Sequence, residues 1–184
     1  MGWSKRGWIG FWLFVALLIV LTIGTLVALV VNANGATLSR CLNTQLAVKP
    51  GQSNGAAGSI GQVVHFTNVS HAACTLEGYP GMQMLDGAGR PLATEVHRGS
   101  SVTVQARPVR LVTLLAGGQA SFELGYADAT GFGDEHCPSS TRIEVTPPDD
   151  FRSLTIAWRL QPYGGDIPHL ECGEITVSPV FAGA

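Results

Sequence analysis

The sequence predicts an all-β fold, an antiparallel β-sandwich of eight or nine strands with an immunoglobulin-like general shape, preceded by one N-terminal transmembrane helix. Three observations carry this prediction. Beyond residue 41, apolar and polar residues alternate with a period of two, as in strands that bury one face. Clusters rich in glycine and proline separate the alternating segments, as turns do. A single charge-free apolar run lies near the start of the chain.

The apolar run covers residues 8–31, which are 24 residues without a charged side chain. A helix of this length would extend about 36 Å, enough to cross a hydrocarbon layer of about 30 Å. The apolar segment of a cleaved signal peptide is normally only about 7 to 15 residues long, so a retained anchor is favoured. Cleavage after Ala33 is the alternative and would release a secreted protein. Lys5 and Arg6 precede the run and predict a cytoplasmic N-terminus.

The predicted organisation therefore has four parts. Residues 1–7 are the cytoplasmic N-terminus, residues 8–31 the anchor, residues 32–40 a short polar tether, and residues 41–180 an extracytoplasmic β-sandwich domain. A chain of 184 residues has room for one domain with a real core. The predicted location is the plasma membrane, crossed once, with the C-terminal domain outside.

Nine segments of the domain fit the strand pattern. The clearest is residues 120–126, where Ala, Phe, Leu and Tyr alternate with Ser, Glu and Gly. No segment outside the apolar run keeps a helical period over three turns. Polar, glycine-rich segments, including KPGQSNG, are predicted as turns. The predicted strands are residues 63–69, 82–85, 91–97, 102–104, 109–115, 120–126, 143–145, 154–158 and 175–177.

All four cysteines lie after the apolar run, at Cys41, Cys74, Cys137 and Cys172, and none belongs to a C-x-x-C pair. An even number of spaced cysteines predicts two disulfides in an oxidising compartment. Four cysteines allow three pairings. We favour Cys41 with Cys74 and Cys137 with Cys172, because these pairs close loops of 33 and 35 residues and each joins one end of the domain to a neighbouring strand. A Cys/His zinc site is the alternative, and these spacings do not favour it.

One segment matches a catalytic motif. Residues 51–55, GQSNG, fit the G-x-S-x-G nucleophile elbow, with Ser53 as the nucleophile. The elbow requires a strand before the serine and a helix after it. The residues that follow, AAGSIG, lead into a strand instead. A serine hydrolase is therefore a remote alternative, and the chain is predicted not to be an enzyme.

Two regions offer potential metal ligands. The segment from Asp128 to His136 contains three acids and a histidine, and oxygen-rich loops can hold calcium, but its spacing does not match the calcium-loop pattern. Met82 and Met84 have thioethers that suit copper, but alternating methionines on a strand are more simply core residues. The sequence therefore predicts no cofactor and no metal site.

The Gly-Tyr-Pro-Gly motif within residues 74–92 is predicted to be a structural corner. Gly78 and Pro80 bend the chain, and the glycines near residue 88 turn it into the next strand. Tyr79 is expected to cover the edge of the core. The segment is therefore interpreted as structural and not as a catalytic loop.

Several motifs resemble domain of unknown function family 4232 over roughly residues 41 to 178. They are GAAGS, FTNVS, CTLEGYPG, LLAGGQASFEL and ECG. The resemblance implies an extracytoplasmic β-sandwich of the kind common in secreted or lipid-anchored proteins of Gram-positive bacteria with GC-rich genomes, with no established activity. The sequence LSRC before and including Cys41 is not a lipobox, so here a transmembrane helix takes the place of the lipid anchor.

The expected function is that of a non-enzymatic binding or interaction module of the cell envelope. Its partners would be the membrane and an envelope protein or cell-wall component, bound through sheet faces or loops. Beyond the apolar run the chain has nine basic and thirteen acidic residues, a net charge of −4, so nucleic acid is not expected as a partner. The alternative function is a small-molecule or metal carrier, for calcium or copper.

Overall fold

The computed structural model describes residues 15–22, 38–56, 58–127, 139–157, 170–171 and 173–183. The chain divides into two compact units, Met1–Thr37 and Leu38–Ala184. In the first unit, residues 15–22 are helical. Within the described residues, no helix is both long enough and apolar enough to cross a membrane. The rest of the predicted span, residues 8–14 and 23–31, lies outside the described residues.

The described part of the second unit consists of strands and one short 3-10 helix, Asn43–Gln45. The all-β prediction is therefore confirmed for the described part of the domain. The strands are β1 (Leu46–Ala56), β2 (Ser59–Asn68), β3 (Cys74–Leu76), β4 (Gly81–Leu85), β5 (Glu95–Arg98), β6 (Val112–Leu114), β7 (Gln119–Ala127), β8 (Ser139–Ser140), β9 (Arg142–Thr146), β10 (Leu154–Ala157), β11 (Leu170–Glu171), β12 (Glu174–Val177) and β13 (Phe181–Ala182).

The largest sheet contains β1, β2, β7, β12 and β5 in that order, and β13 also pairs with β7. A second sheet has the order β10, β9, β4, and two further pairs are β3 with β6 and β8 with β11. The prediction of a purely antiparallel fold is wrong, because β5 and β12 run parallel. Many residues separate these two strands in the sequence, so the chain can return in the same direction, which a tight hairpin cannot do.

One buried cluster takes side chains from both larger sheets. Phe66 of β2 and Phe122 of β7 are fully buried, with ring centroids 5.4 Å apart. Met84 of β4 and Ile143 of β9 are fully buried members of the same cluster. Burial of these apolar surfaces, at about 25 cal/mol per Å², is the main stabilising contribution of the fold.

Six of the predicted strands coincide with observed strands over most of their length. They are residues 63–69, 82–85, 120–126, 143–145, 154–158 and 175–177, of which Trp158 lies outside the described residues. Two predictions begin too early. The strand predicted at residues 91–97 is observed as Glu95–Arg98, and the one predicted at residues 109–115 is observed only as Val112–Leu114. The prediction of a strand at residues 102–104 is wrong. These residues form a bend.

The predicted turn KPGQSNG is also wrong, because it lies within β1. β1 is at the edge of the large sheet, and its register with β2 shifts between Pro50 and Ser53. An edge strand accommodates proline and glycine at a bulge, since not every backbone group there needs a ladder partner. The turn-like composition therefore marks a bulged edge strand.

The predicted disulfide between Cys41 and Cys74 is confirmed, with the two Cα atoms 4.9 Å apart and both residues fully buried. It joins the start of the domain to β3, where the N–H of Cys41 also donates to the carbonyl of Thr75 at 2.8 Å. Cys137 and Cys172 lie outside the described residues.

The Gly-Tyr-Pro-Gly corner connects β3 to β4. Gly78 has a φ of 104°, a conformation that favours glycine, and its carbonyl accepts the N–H of Val180 at 2.9 Å. Tyr79 packs partly buried against the core, and the guanidinium of Arg98 lies 5.9 Å from its ring centroid. Pro80 is buried. The structural interpretation of this corner fits these contacts.

Candidate functional site

A cleft of about 570 Å³ opens on the outer face of the six-stranded sheet, the face turned away from the buried cluster. Its walls are residues 52–54 of β1, residues 61–63 of β2, Glu123 of β7 and the covering segment, which we define as residues 100–106. The volume is within the range of about 300 to 1,000 Å³ that is usual for small-molecule sites.

Two glycines allow the covering segment to lie directly on the sheet. Gly61 of β2 is paired with Gly125 of β7, so the outer face has no Cβ at two adjacent points. A Cβ on Gly61 would come within 2.7 Å of the carbonyl oxygen of Thr103, and one on Gly125 within 2.7 Å of Cγ2 of Val104. Thr103 and Val104 are buried there, whereas Val102 is 75% exposed. This packing explains why the Val-Thr-Val pattern is not a strand.

Glu123 holds the far end of the covering segment. Its Oε2 accepts the backbone N–H of Gln105 at 2.6 Å, and its Oε1 accepts the guanidinium of Arg107 at 2.7 Å. The same guanidinium lies 3.9 Å from the ring centroid of Phe181. The carboxylate of Glu123 is thus used to fix the wall of the cleft, through two charge-assisted hydrogen bonds.

Gln62 links the cleft to the bulge of β1. Its side chain is only 2% exposed, and its Nε2 lies 2.6 Å from the carbonyl oxygen of Gly51 and 3.2 Å from that of Gln52. These are the carbonyls at which the β1–β2 register shifts. Within the described part of the chain, Oε1 of Gln62 has no hydrogen-bond partner. By strand alternation Gln62 lies on the same face of β2 as Ile60 and Val64, so its side chain belongs to the core side of the sheet and holds the bulge there.

The other described polar groups of the cleft are mainly uncharged. Amides and hydroxyls can each donate and accept hydrogen bonds, so the lining suits a ligand that does the same. The lining amides and hydroxyls belong to Gln52, Ser53, Asn54, Gln62, Ser100, Ser101, Thr103 and Gln105.

Ser53, the predicted remote candidate for a nucleophile, is a lining residue of this cleft. It lies inside β1, which continues to Ala56 before β2 begins. The strand-to-helix turn of a nucleophile elbow is therefore not formed at this position. Ser53 contributes a hydroxyl to the wall of the cleft.

Another serine, which belongs to no catalytic motif in the sequence, contacts a histidine. His65 and Ser121 are paired across β2 and β7, and Nδ1 of His65 lies 2.9 Å from Oγ of Ser121. Oγ of Ser121 donates to the carbonyl of Gly183 at 2.6 Å, so the histidine nitrogen must donate to the serine. Ser121 is also fully buried. This pair therefore connects the carbonyl of Gly183 to the sheet, and the hydroxyl of Ser121 is not activated as a nucleophile.

Of the two predicted metal regions, the structure describes the two methionines, and they do not line the cleft. Met82 is 8% exposed and Met84 is fully buried, and both belong to the buried cluster, as expected for core residues. Residues 128–136 lie outside the described residues.

The sequence did not predict that Gln62, Glu123 and the pair Gly61–Gly125 shape the cleft. Glu123 is the one charged residue among the alternating residues of β7, and this feature could have indicated a special role for it. The pairing of Gly61 with Gly125 depends on register and has no sequence signal of its own.

Comparison with known proteins gives one family. The model of the family described as "Domain of unknown function (DUF4232)" matches residues 41–180. The search of curated proteins gave no match.

Proposed function

Because the chain belongs to the DUF4232 family, whose description names no activity, we propose from the cleft that it is a non-enzymatic binding module of the cell envelope. The observation that carries this proposal is a cleft of about 570 Å³ lined mainly by residues with uncharged amide and hydroxyl side chains. A site of this kind selects ligands by hydrogen bonding.

The chemistry of the lining favours an uncharged ligand rich in hydroxyl and amide groups. Such a ligand can pair with the exposed side chains of Asn54 and Gln105, whereas a charged ligand would meet no free opposite charge among the described lining groups. Saccharides of the cell wall that carry N-acetyl groups have this chemistry. We therefore propose a cell-wall saccharide as the ligand.

The hydrogen bonds made by the carboxylate of Glu123 favour a binding role over a catalytic one. Among the described lining residues, Glu123 is the carboxylate, and both of its oxygens already accept hydrogen bonds. A general acid or base must be able to reach the reacting group. Glu123 instead fixes the covering segment.

The membrane anchor and the extracytoplasmic location are part of the proposal. The charge-free run at residues 8–31 and the preceding Lys5 and Arg6 support an anchor with the N-terminus inside. The Cys41–Cys74 disulfide supports an oxidising compartment. Protease added to intact spheroplasts should digest the domain, and the chain should resist extraction by alkaline carbonate.

We further propose that the two larger sheets pack face to face as a sandwich. Their side chains share one buried cluster, which supports this arrangement. Nuclear Overhauser contacts should therefore connect the ring of Phe122 with the methyl groups of Ile143 or Val145.

The ligand proposal can be tested by titrating the purified full chain, in detergent, with an N-acetylhexosamine disaccharide and following amide resonances by NMR. We expect shifts confined to residues 52–54, 61–63 and the covering segment. The double variant Asn54→Ala, Gln105→Ala should bind at least about ten times more weakly, because two exposed hydrogen-bonding groups are removed. The matched control is Gln119→Ala, an exposed amide outside the cleft, which should bind like the wild type.

Equal affinity of the double variant and the wild type, or no binding of the disaccharide or of purified cell-wall sacculi, would contradict the proposed ligand. Capture of a specific envelope protein that the double variant fails to capture would identify a protein as the occupant instead.

A further inference from the structure

Three potential metal ligands converge on the outer face of the six-stranded sheet, on strands different from those of the cleft. Glu95 and His97 lie two residues apart on β5, and Glu174 of β12 is the register partner of Glu95. Val96 packs partly buried against the core, so its neighbours Glu95 and His97 point to the outer face. One ligand atom from each of the three residues lies within 4.8 Å of the other two.

The charges of Glu95 and Glu174 favour the binding of a cation. Two glutamates stand opposite each other on adjacent strands, and like charges in that position are destabilising. His97 contributes an imidazole whose Nε2 is 3.6 Å from Oε1 of Glu95. A divalent cation bound by all three residues would offset the repulsion between the carboxylates.

Both strands are fixed by backbone hydrogen bonds at the two ends of their pairing. The N–H of Glu95 donates to the carbonyl of Gly173 at 2.7 Å, and the N–H of Gly99 donates to that of Val177 at 3.0 Å. The backbone positions of the ligands are therefore set by the sheet, and only exposed side chains need to adjust. Sites carried on regular elements hold their geometry better than sites on loops.

We propose that Glu95, His97 and Glu174 form a binding site for a divalent transition-metal cation of the Zn²⁺ type. One imidazole nitrogen and two carboxylate oxygens are ligands that Zn²⁺ accepts at about 2.0 to 2.2 Å. The exposed side chains need only small rotations to reach these distances from the separation observed. Three protein ligands leave a coordination position open for water or a ligand.

The imidazole distinguishes this site from a calcium site. Ca²⁺ takes six to eight oxygen ligands, whereas an imidazole with carboxylates suits zinc and its neighbours in the first transition row. The site is also distinct from the segment Asp128–His136 and from Met82 and Met84, which the sequence suggested. It does not depend on the proposed saccharide ligand.

The test is isothermal titration calorimetry of the oxidised full chain in detergent with ZnCl₂, and separately with CaCl₂. We expect Zn²⁺ binding that weakens at least tenfold in His97→Ala and in Glu174→Gln, and no comparable binding of Ca²⁺. The matched controls are His71→Ala and Glu77→Gln, which replace an exposed histidine and an exposed glutamate outside the group. Their Zn²⁺ affinities should equal that of the wild type.

A second measurement follows the wild type and needs a variant only to assign its resonances. The ring resonances of His97, assigned by their loss in His97→Asn, should shift or broaden when Zn²⁺ is added. Equal Zn²⁺ affinity in the wild type, His97→Ala and Glu174→Gln would overturn the proposal. Ring resonances of His97 that do not respond to Zn²⁺ would overturn it as well.

Discussion

The carboxylate of Glu123 accepts the backbone N–H of Gln105 at 2.6 Å, and through this hydrogen bond β7 holds the covering segment in place. The bond connects a strand in the middle of the large sheet to a segment without regular structure. The position of one wall of the cleft thus depends on Glu123, on the hydroxyl of Thr103, which donates to the carbonyl of Ile60 at 3.3 Å, and on the glycine pair beneath the segment.

Replacing Glu123 with alanine should destabilise the domain by about 2 to 3 kcal/mol, because two hydrogen bonds to a charged group are lost and Arg107 is left without its carboxylate. The free energy of unfolding in urea measures the loss. Hydrogen exchange at the amide of Gln105 should become faster. The exposed Glu77→Ala variant is the control, and a Gln105 amide that stays equally protected in Glu123→Ala would refute the anchoring role.

Adding a methyl group to either glycine beneath the covering segment should displace it. Gly125→Ala places a Cβ 2.7 Å from Cγ2 of Val104, and such overpacking costs about 1 to 3 kcal/mol. Gly87→Ala is the matched control, because no atom lies within 4 Å of its Cβ position. Its effect should be less than about 0.5 kcal/mol. Similar melting temperatures for the two variants would show that the segment does not rest on the glycine pair.

Gln62→Leu should destabilise the domain by about 1 to 3 kcal/mol, because the carbonyls of Gly51 and Gln52 lose the side-chain donor. The amide resonances of residues 51–54 should shift more than those at the other end of β1. Gln119→Leu, at an exposed position, serves as the control in the same unfolding experiment. A Gln62→Leu variant as stable as the wild type would mean that water replaces the side chain at the bulge.

Asp150 should make stability depend on pH in the acid range. Partial burial acts to raise its pKa, but hydrogen bonds from the N–H groups of Asn43, Phe151 and Arg152 lower the pKa below the ordinary 3.8. The native state thus favours the ionised carboxylate. This contribution is complete above pH 3.8 and is lost as the pH falls through the lowered value.

The variant Asp150→Asn checks this dependence. It should be less stable than the wild type at neutral pH, and the difference should narrow as the solution is acidified below pH 3.8. Urea unfolding at several pH values measures it. A constant difference at all pH values would mean that the hydrogen bonds do not depend on the charge of the carboxylate.

Removing the disulfide with Cys41→Ser and Cys74→Ser should cost about 3.5 to 4 kcal/mol in the chain-entropy treatment of a loop of this size. Unfolding of the double variant in urea, compared with the oxidised wild type, gives the value. Peptide mapping without reductant should recover the two cysteines in one linked fragment. Recovery of Cys41 and Cys74 as separate thiol peptides would contradict the pairing.

The strands with strict alternation could be predicted from sequence, because burial of one face imposes the period directly. Residues 120–126 and 143–145 are examples, and both lie in strands that contribute to the buried cluster. β1 could not be predicted in this way, because an edge strand with a bulge has the proline and glycine content of a turn. The segment at residues 102–104 shows the opposite error, since it has the apolar alternation of a strand although Thr103 and Val104 are both buried against the sheet and Val102 is exposed.

The candidate sites depended on information that the sequence does not carry. Glu95 and Glu174 are far apart in the chain, and only the parallel register of β5 with β12 brings them together. The disulfide was predictable because cysteine identity and spacing restrict the choices. Gln62, in contrast, looks like any polar residue in a strand until the bulge opposite it is known.

The position of β12 between β7 and β5 also determines when this protein can finish folding. β5 is synthesised well before its ladder partner at residues 174–177, and among the described strands of this sheet β13 alone comes later. Until then the hydrogen-bonding groups of β5 on that side have only solvent to bind. Assembly of the sheet must therefore wait until residues 174–177 have been synthesised, and such distant pairings form slowly.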